Sequence, residues 1–392
     1  MSTTTIDQQI TELNAGWYNH VSSVMNLDPA TFQLAQGTLG LQTSDSSGLF
    51  RMADAVPPSA SVAYFDPGSM QLRSQSYGML LQALLPETGV SLQQALGDQY
   101  ANWITFRNAY WTTNPTSTET QEQVFTTWAN QRLDPNQASS AITAYKDQAN
   151  CPLNNALDAY HSQAGLTGFI DPSGKSYSLY TYTGTVSGAN NAFATAGQVA
   201  TIDFDTSSMN TTLSHTTVNG SATGWYEIFA ASASASFDQL NATAAAQRFT
   251  IKGSLTYTTL VTQAVPQWYD SAEVTRAYSA QNDNTVWNAA SNVGSWSSFF
   301  GDDGGLARHV SQLVLVTDCH LTVTSYADYS SEDCTEINAK ADIGIWPFFD
   351  AKSEASYQAE ATVNDDGSLT FTHDLDKGQI EIWGATVEAA PS

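Results

Sequence analysis

The feature that most constrains this chain is a change in the period of its apolar residues near residue 165. Upstream, apolar side chains recur at three- and four-residue steps. In IDQQITELNAGWYNHVSSVM, Ile10, Leu13, Trp17, Val21 and Val24 fall on one helix face. Leu80, Leu81, Leu84 and Leu85 predict a second helix that stops near Pro86. From Ser91, SLQQALGDQYANWITFRNAYW reads as one helix with Leu92, Leu96, Tyr100, Trp103 and Ile104 on a shared face and Ser91 as its N-cap. QEQVFTTWANQRL and SAITAYKDQANCPLNNALDAYHSQA continue the pattern. Between the first two helices, Phe32 to Phe65 is punctuated by Gly, Pro and Ser and reads as irregular structure or a small hairpin.

Downstream, the period falls to two. KSYSLYTYTGTV, QVATIDFDTSS, RFTIKGSLTYTTLVTQAV, RHVSQLVLVTDCHLTVTSY, EINAKADIGIW, SYQAEATV, GSLTFTHDL and GQIEIWGATVEA are rich in Thr, Tyr, Val and Ile and are separated by turn residues. Asp366-Gly367 between two alternating runs predicts a tight hairpin. No long helical crossovers intervene, so an antiparallel sheet is expected. The predicted architecture is α+β, with a mainly helical region over 1–165 and a mainly antiparallel β region over 166–392.

Only 13% of the residues are charged, and 13 bases stand against 38 acids, giving a net charge of −25. No basic stripe exists to displace counterions from phosphates, which excludes nucleic acid as a partner. Ser, Thr, Asn, Gln, Ala and Gly supply the polar surface, a composition suited to secreted proteins, toxins, lectins and coats. The opening MSTTTIDQQITELNAGWYNHV has neither a basic start nor a long apolar run and does not read as a Sec-type signal. Release from the cell by another route, after a cytoplasmic stage, is the expected localisation. Three cysteines, Cys151, Cys319 and Cys334, make no disulfide framework; Cys319 and Cys334 face each other across a hairpin or are buried free thiols.

Motifs for chemistry are sparse. The six histidines lack a metal-ligand spacing; Asp318 and His320, two apart in a strand, share a face but have no third ligand. The Asp-Asp-Gly runs in FGDDGGLARH and VNDDGSL read as turns, without the twelve-residue calcium spacing. No nucleophile elbow, phosphate loop or dinucleotide fingerprint occurs. Neither a metal nor a cofactor is expected, and an enzyme is the less favoured class, with a polysaccharide hydrolase using a carboxylate pair as its form.

Aromatic and small residues carry more weight. In ADIGIWPFFDAKSEASYQAEATV, Trp346, Phe348 and Phe349 surround Pro347 at a tip between two polar, alternating stretches. Such a tip suits a membrane interface or a pocket on a neighbouring chain. Trp268 and Tyr269 in VPQWYDSAEV form a second pair, a core plug or a platform for a partner. Between them in importance lies FAASASASFDQLNATAAAQRF. Read as a strand from 225 to 237, it places Trp225, Glu227, Phe229, Ala231, Ala233, Ala235 and Phe237 on one face and Tyr226, Ile228, Ala230 and then three serines on the other, the dyad pattern of a membrane-spanning barrel strand. In composition this segment resembles the inserting hairpins of β-pore-forming toxins. That resemblance implies a protein that oligomerises on a target membrane, with further copies of itself and a membrane or glycan receptor as partners. A self-assembling structural or lectin-like protein is the alternative from another class.

Overall fold

The computed structural model describes residues 6–41, 45–58, 64–65, 71–86, 89–114, 117–147, 151–171, 173–212, 247–262, 267–288, 292–329 and 361–389. Most helices lie in the N-terminal part and the antiparallel sheet is built chiefly from the C-terminal part, an α+β chain as the change of period predicts.

The sheet is organised around its longest strand. β1 (Phe32–Leu41), β2 (Tyr64–Phe65), β5 (Gln198–Asp205), β6 (Phe249–Val261), β7 (Arg308–Ser325), β8 (Ala361–Val363), β9 (Leu369–Leu375) and β10 (Ile380–Ala389) form one sheet, while β3 (Leu166–Ile170) and β4 (Ser176–Tyr180) form a separate hairpin. β7 pairs with β6 along nearly its whole length. On its other side the first half pairs with β10 and the second half with β9. Its sequence changes accordingly. Leu313, Val314, Leu315 and Val316 are buried on both faces and form an unbroken apolar run, whereas Cys319, Leu321 and Val323 alternate with His320, Thr322 and Thr324.

At the junction of the halves β7 carries an extra residue. Asp318 sits at φ 49°, and the β6–β7 register slips between Ser254 and Thr256. Opposite it, Gly253 has φ 151°, and a side chain there would strike the His320 carbonyl. A bulge of this kind bends and twists the strands. The Asp366-Gly367 hairpin is present between β8 and β9, with Gly367 at φ 82°.

α1 (Ile6–Val24) covers one face. Leu13, Trp17, Tyr18 and Val21 meet Ile202, Phe204, Ile251, Val316, Leu321, Phe371 and Trp383 in one core. On the other face α2 (Ser47–Asp54) and α9 (Val186–Ala196) cover Leu260, Leu313, Leu315 and Ile382. The first fifty residues thus share their cores with the sheet.

α3 (Arg73–Ala83), α4 (Gly89–Leu96), α5 (Gln99–Thr113), α6 (Gln121–Arg132), α7 (Pro135–Asp147) and α8 (Pro152–His161) follow, and α4 to α7 gather around Trp103, Phe125, Trp128 and Tyr145. Two expectations need correction. The stretch from Ser91 is not one helix: Gly97, at φ 53°, breaks it, and α4 and α5 pack into the same aromatic core from different directions. The stretch after Phe32 is not irregular. It is β1, paired antiparallel with β10 from the far end of the chain, with Phe32 and Leu34 turned into the core.

Candidate functional site

The two ends of the sheet are built differently, and the candidate residues divide between them. At one end, β6 and β7 are joined by a connection carrying Trp268, α10 (Ser271–Ser279) and α11 (Trp296–Phe300). Trp268 is 0% exposed. Its indole donates to the Thr181 carbonyl at 3.0 Å and meets Tyr77, Tyr180 and Tyr182 with ring centroids 5.8, 4.9 and 5.7 Å away. Trp268 therefore plugs the core that joins α3, α8 and this connection.

Tyr269 beside it is half-buried and lies 4.8 Å from Tyr77 by ring centroid, with the Arg73 guanidinium 4.5 Å above its ring. Together with Tyr160 and Tyr180, which stack at 5.1 Å, it forms a partly open tyrosine shelf. Gly78 makes room for it, because a side chain at that position would strike the Tyr160 hydroxyl.

A buried polar group lies behind the shelf. The Asp54 carboxylate accepts from the Ser74 amide at 2.8 Å, the Ser74 hydroxyl at 2.6 Å and the Tyr182 hydroxyl at 2.8 Å. Burial pushes its pKa up, opposed by these bonds and by the Arg73 charge. Arg73 is itself buried, and its Nη1 has no hydrogen-bond partner. His309 is buried nearby; burial first, and then the Arg73 charge, lower its pKa to about 4, so it is neutral at pH 7.

The two long connections leave from the other end of the sheet. The chain leaves β5 at Asp205 and returns to β6 at Arg248, whose guanidinium binds the Asp205 carboxylate at 2.6 and 3.2 Å. The same guanidinium lies 4.8 Å over the ring of Tyr326, the first residue beyond β7, whose amide donates to the Arg248 carbonyl at 3.0 Å. One exposed arginine thus ties together the roots of both long connections. The hydrogen bond and charge of Arg248 hold the Asp205 carboxyl far below the usual carboxylate range.

After Asp205 the chain folds back over α1. Asn19 Nδ2 donates to the carbonyls of Asn210 at 2.7 Å and Thr212 at 3.1 Å. Met209 rests on Gly16, where a Cβ would lie 2.7 Å from its sulfur and 3.1 Å from its Cβ. Glycine in mid-helix weakens α1 by about 1 kcal/mol, and the close approach of Met209 is the reason for it here.

Beside this end the sheet face away from α1 is open and polar. Lys252 pairs with Asp203 at 2.9 Å, and His320 bonds Asp374 at 2.9 Å while lying 3.5 Å from Asp318. The bulge puts Asp318 within reach of His320, and the third group that the sequence left unnamed is Asp374. All three are about half exposed, and the Asp374 bond raises the His320 pKa. Among the described residues no group of three or more His, Cys, Asp or Glu is arranged to hold a metal ion. On the α1 face, Glu381 is fully buried, accepts from the Trp383 indole and shares a hydrogen bond with the His373 ring, each at 3.1 Å. Cys319 is a buried free thiol, its pKa raised first by burial.

Trp346, Phe348 and Phe349, Cys334 and the Ala-Ser alternation lie outside the described residues. Arg73 and Arg248 carried no motif. The only signal for them was rarity, since each is one of 13 basic residues in the chain. No family model, no curated protein and no solved structure matches this chain. Among the described residues no helix is long and apolar enough to cross a membrane.

Proposed function

We propose that this protein is a β-pore-forming protein that assembles on a target membrane by extending its own antiparallel sheet. One observation carries the reading. The two long connections both leave the sheet at the end where Asp205, Phe249 and Ser325 lie side by side; 213–246 also re-enters there, and 330–360 returns into β8 at Ala361, opposite Phe371. β5 and β6 are antiparallel neighbours, so strands grown into 213–246 prolong an existing pair. Each connection is long enough for two strands of about 10 residues and a turn, the length that crosses a bilayer.

The sequence pattern of the second connection supports the same reading. Ile337, Ala339, Ala341, Ile343 and Ile345 alternate with Asn338, Lys340 and Asp342; after the Trp346-Pro347-Phe348-Phe349 tip, Ala351, Ala355, Tyr357 and Ala359 alternate with Lys352, Glu354 and Gln358. One face suits lipid, the other a water-filled lumen, and the aromatic tip suits the far interface.

The Met209–Gly16 contact and the Asn19 bonds tie the root of the first connection to α1, and strand extension requires their release. Joining Gly16→Cys to Met209→Cys by a disulfide, which a small separation of the two backbones makes possible, tests this. The oxidised variant is expected to retain dye in liposomes, and reductant is expected to restore leakage and rings in electron micrographs. Leakage from the fully oxidised variant at the wild-type rate defeats the proposal.

A lectin-like reading draws on a different feature, the half-open shelf of Tyr160, Tyr180 and Tyr269 under Arg73. Saturable glycan binding without leakage, lost in Tyr269→Ala, favours it over a pore.

A further inference from the structure

The helical lobe holds a buried cation that makes no ion pair among the described residues. Arg107 on α5 is 2% exposed. Its Nε donates to Asn108 Oδ1 at 3.1 Å and one Nη2–H to the Gln82 carbonyl at 3.3 Å, near the C-terminal end of α3. Part of its role is thus to cap that helix. Those two bonds leave other N–H groups of the guanidinium without a hydrogen bond to the described residues, and the neutral phenols of Tyr145 and Tyr100 lie near it. Among the described residues it makes no ion pair. In a chain with a net charge of −25, that is not for want of acids.

Four nearby side chains hold buried polar atoms without a partner. Trp111 Nε1, Gln121 Oε1 and Nε2, Tyr145 Oη and His161 Nε2 are all buried and without a hydrogen-bond partner. They come from four different helices, linked in pairs by ring stacking and a hydrogen bond. Trp111 stands one turn beyond Arg107 on α5, and the His161 ring of α8 stacks on it at 4.1 Å and 14°. Gln121 stands one turn before Phe125 on α6, and Tyr145 of α7 stacks on Phe125 at 4.2 Å and 12°. Asp158, one turn before His161, accepts the Gln121 amide at 2.8 Å and so closes the ring of helices.

Buried polar groups in native proteins are almost always hydrogen-bonded. A cluster of unused donors around a guanidinium that makes no ion pair is the arrangement that receives an anion. We propose that Arg107, Trp111, Gln121, Tyr145 and His161 form a binding site for a small monocarboxylate with an apolar body.

The charges and walls define that class. Burial, and then the Arg107 charge, lower the His161 pKa to about 4, so at pH 7 the site is a single positive charge with neutral donors. The neighbouring carboxylates Asp158 and Glu122 oppose a second negative charge, which disfavours phosphate and dicarboxylates. Trp103 and Phe125 provide an apolar wall against which Tyr145 already packs. A planar carboxylate takes two N–H bonds from a guanidinium, with the Tyr145 hydroxyl and the indole N–H free to donate as well.

The test is calorimetric titration of the full chain with sodium benzoate and with benzamide, its neutral isostere, in wild type, Tyr145→Phe and Arg107→Met. Wild type is expected to bind one benzoate with quenching of tryptophan fluorescence and to bind benzamide at least about tenfold more weakly. Tyr145→Phe keeps the packing and removes only the hydroxyl; it is expected to melt no lower than wild type yet to bind benzoate about fivefold more weakly. Arg107→Met is expected to lose binding, and if it fails to fold the Tyr145→Phe comparison decides. No saturable benzoate binding up to roughly 10 mM, equal binding of benzamide, or unchanged affinity in Tyr145→Phe overturns the proposal and leaves these groups to ordered water.

Discussion

The two ends of the sheet differ in what holds them. The end carrying the β6–β7 connection is fixed by fully buried rings, Trp268, Tyr77 and Tyr182, each of which touches several others. At the end from which the two long connections leave, the sheet itself is packed under α1 by Trp17, Phe204, Phe249 and Ile251, but the roots of the connections are fastened by an exposed arginine, one methionine and two hydrogen bonds from Asn19. Burial of a large ring stabilises by kilocalories, whereas an exposed ion pair contributes little and weakens with salt. Among the described residues, the β6–β7 connection is therefore anchored by buried rings, and the roots of the two long connections by lighter surface contacts.

The largest effect is expected at the packed end. Trp268→Ala removes a ring in contact on all sides and should cost about 3–5 kcal/mol, read as a lower midpoint in denaturant. A variant that unfolds like wild type would erase the contrast between the two ends.

Acid should act through buried histidines of the packed regions. His161 and His309 have folded pKa values near 4, below the unfolded value of about 6.5, so the unfolded chain binds more protons between those limits. The stability they contribute is full above pH 6.5 and falls as pH drops toward 4, by up to about 1.4 kcal/mol per pH unit for each. Thermal melts across this window, repeated with His161→Gln and His309→Gln, should show a flatter profile in the variants. His320 works in the opposite sense: its raised pKa adds stability at low pH that is lost as pH rises, but its exposure keeps that contribution small.

Cutting Trp346, Phe348 and Phe349 to alanine should leave the melting temperature of the monomer unchanged while membrane binding or assembly falls about tenfold, equivalent to about 1.4 kcal/mol. A large drop in melting temperature with assembly intact would make these rings structural instead. The smallest effect on stability is expected for Arg248→Gln. Its melting temperature should barely move, yet dye leakage should begin sooner than in wild type, because the tie between the two roots is lost. Equal leakage rates would show that the exposed pair does not fasten this end.

Much of the architecture was legible in the sequence. The step of three or four along Leu13, Trp17 and Val21 and the alternation along Cys319, Leu321 and Val323 reflect helix and strand geometry, and both face the core as their periods require. The Asp366-Gly367 turn was equally legible, because φ of 82° is open to glycine without strain. These are local properties, set by residues within a turn or two of each other.

What the tertiary structure alone decided is pairing across distance. Nothing in FQLAQGTLGL announces a partner in IEIWGATVEA, nor does Gly16 announce Met209, because each contact joins segments far apart in the chain. The same holds for the candidate sites. Arg107, Gln121, Tyr145 and His161 sit on four separate helices, and Asp205, Arg248 and Tyr326 on three separate strand ends. Sequence determined most of which residues are helical, extended or buried, since those follow from local geometry and hydrophobicity; β1 and the break at Gly97 between α4 and α5 emerged only in the fold. Only the packed chain determined which charges lie alone in the core and which fasten a surface, since that depends on what else occupies the space around them.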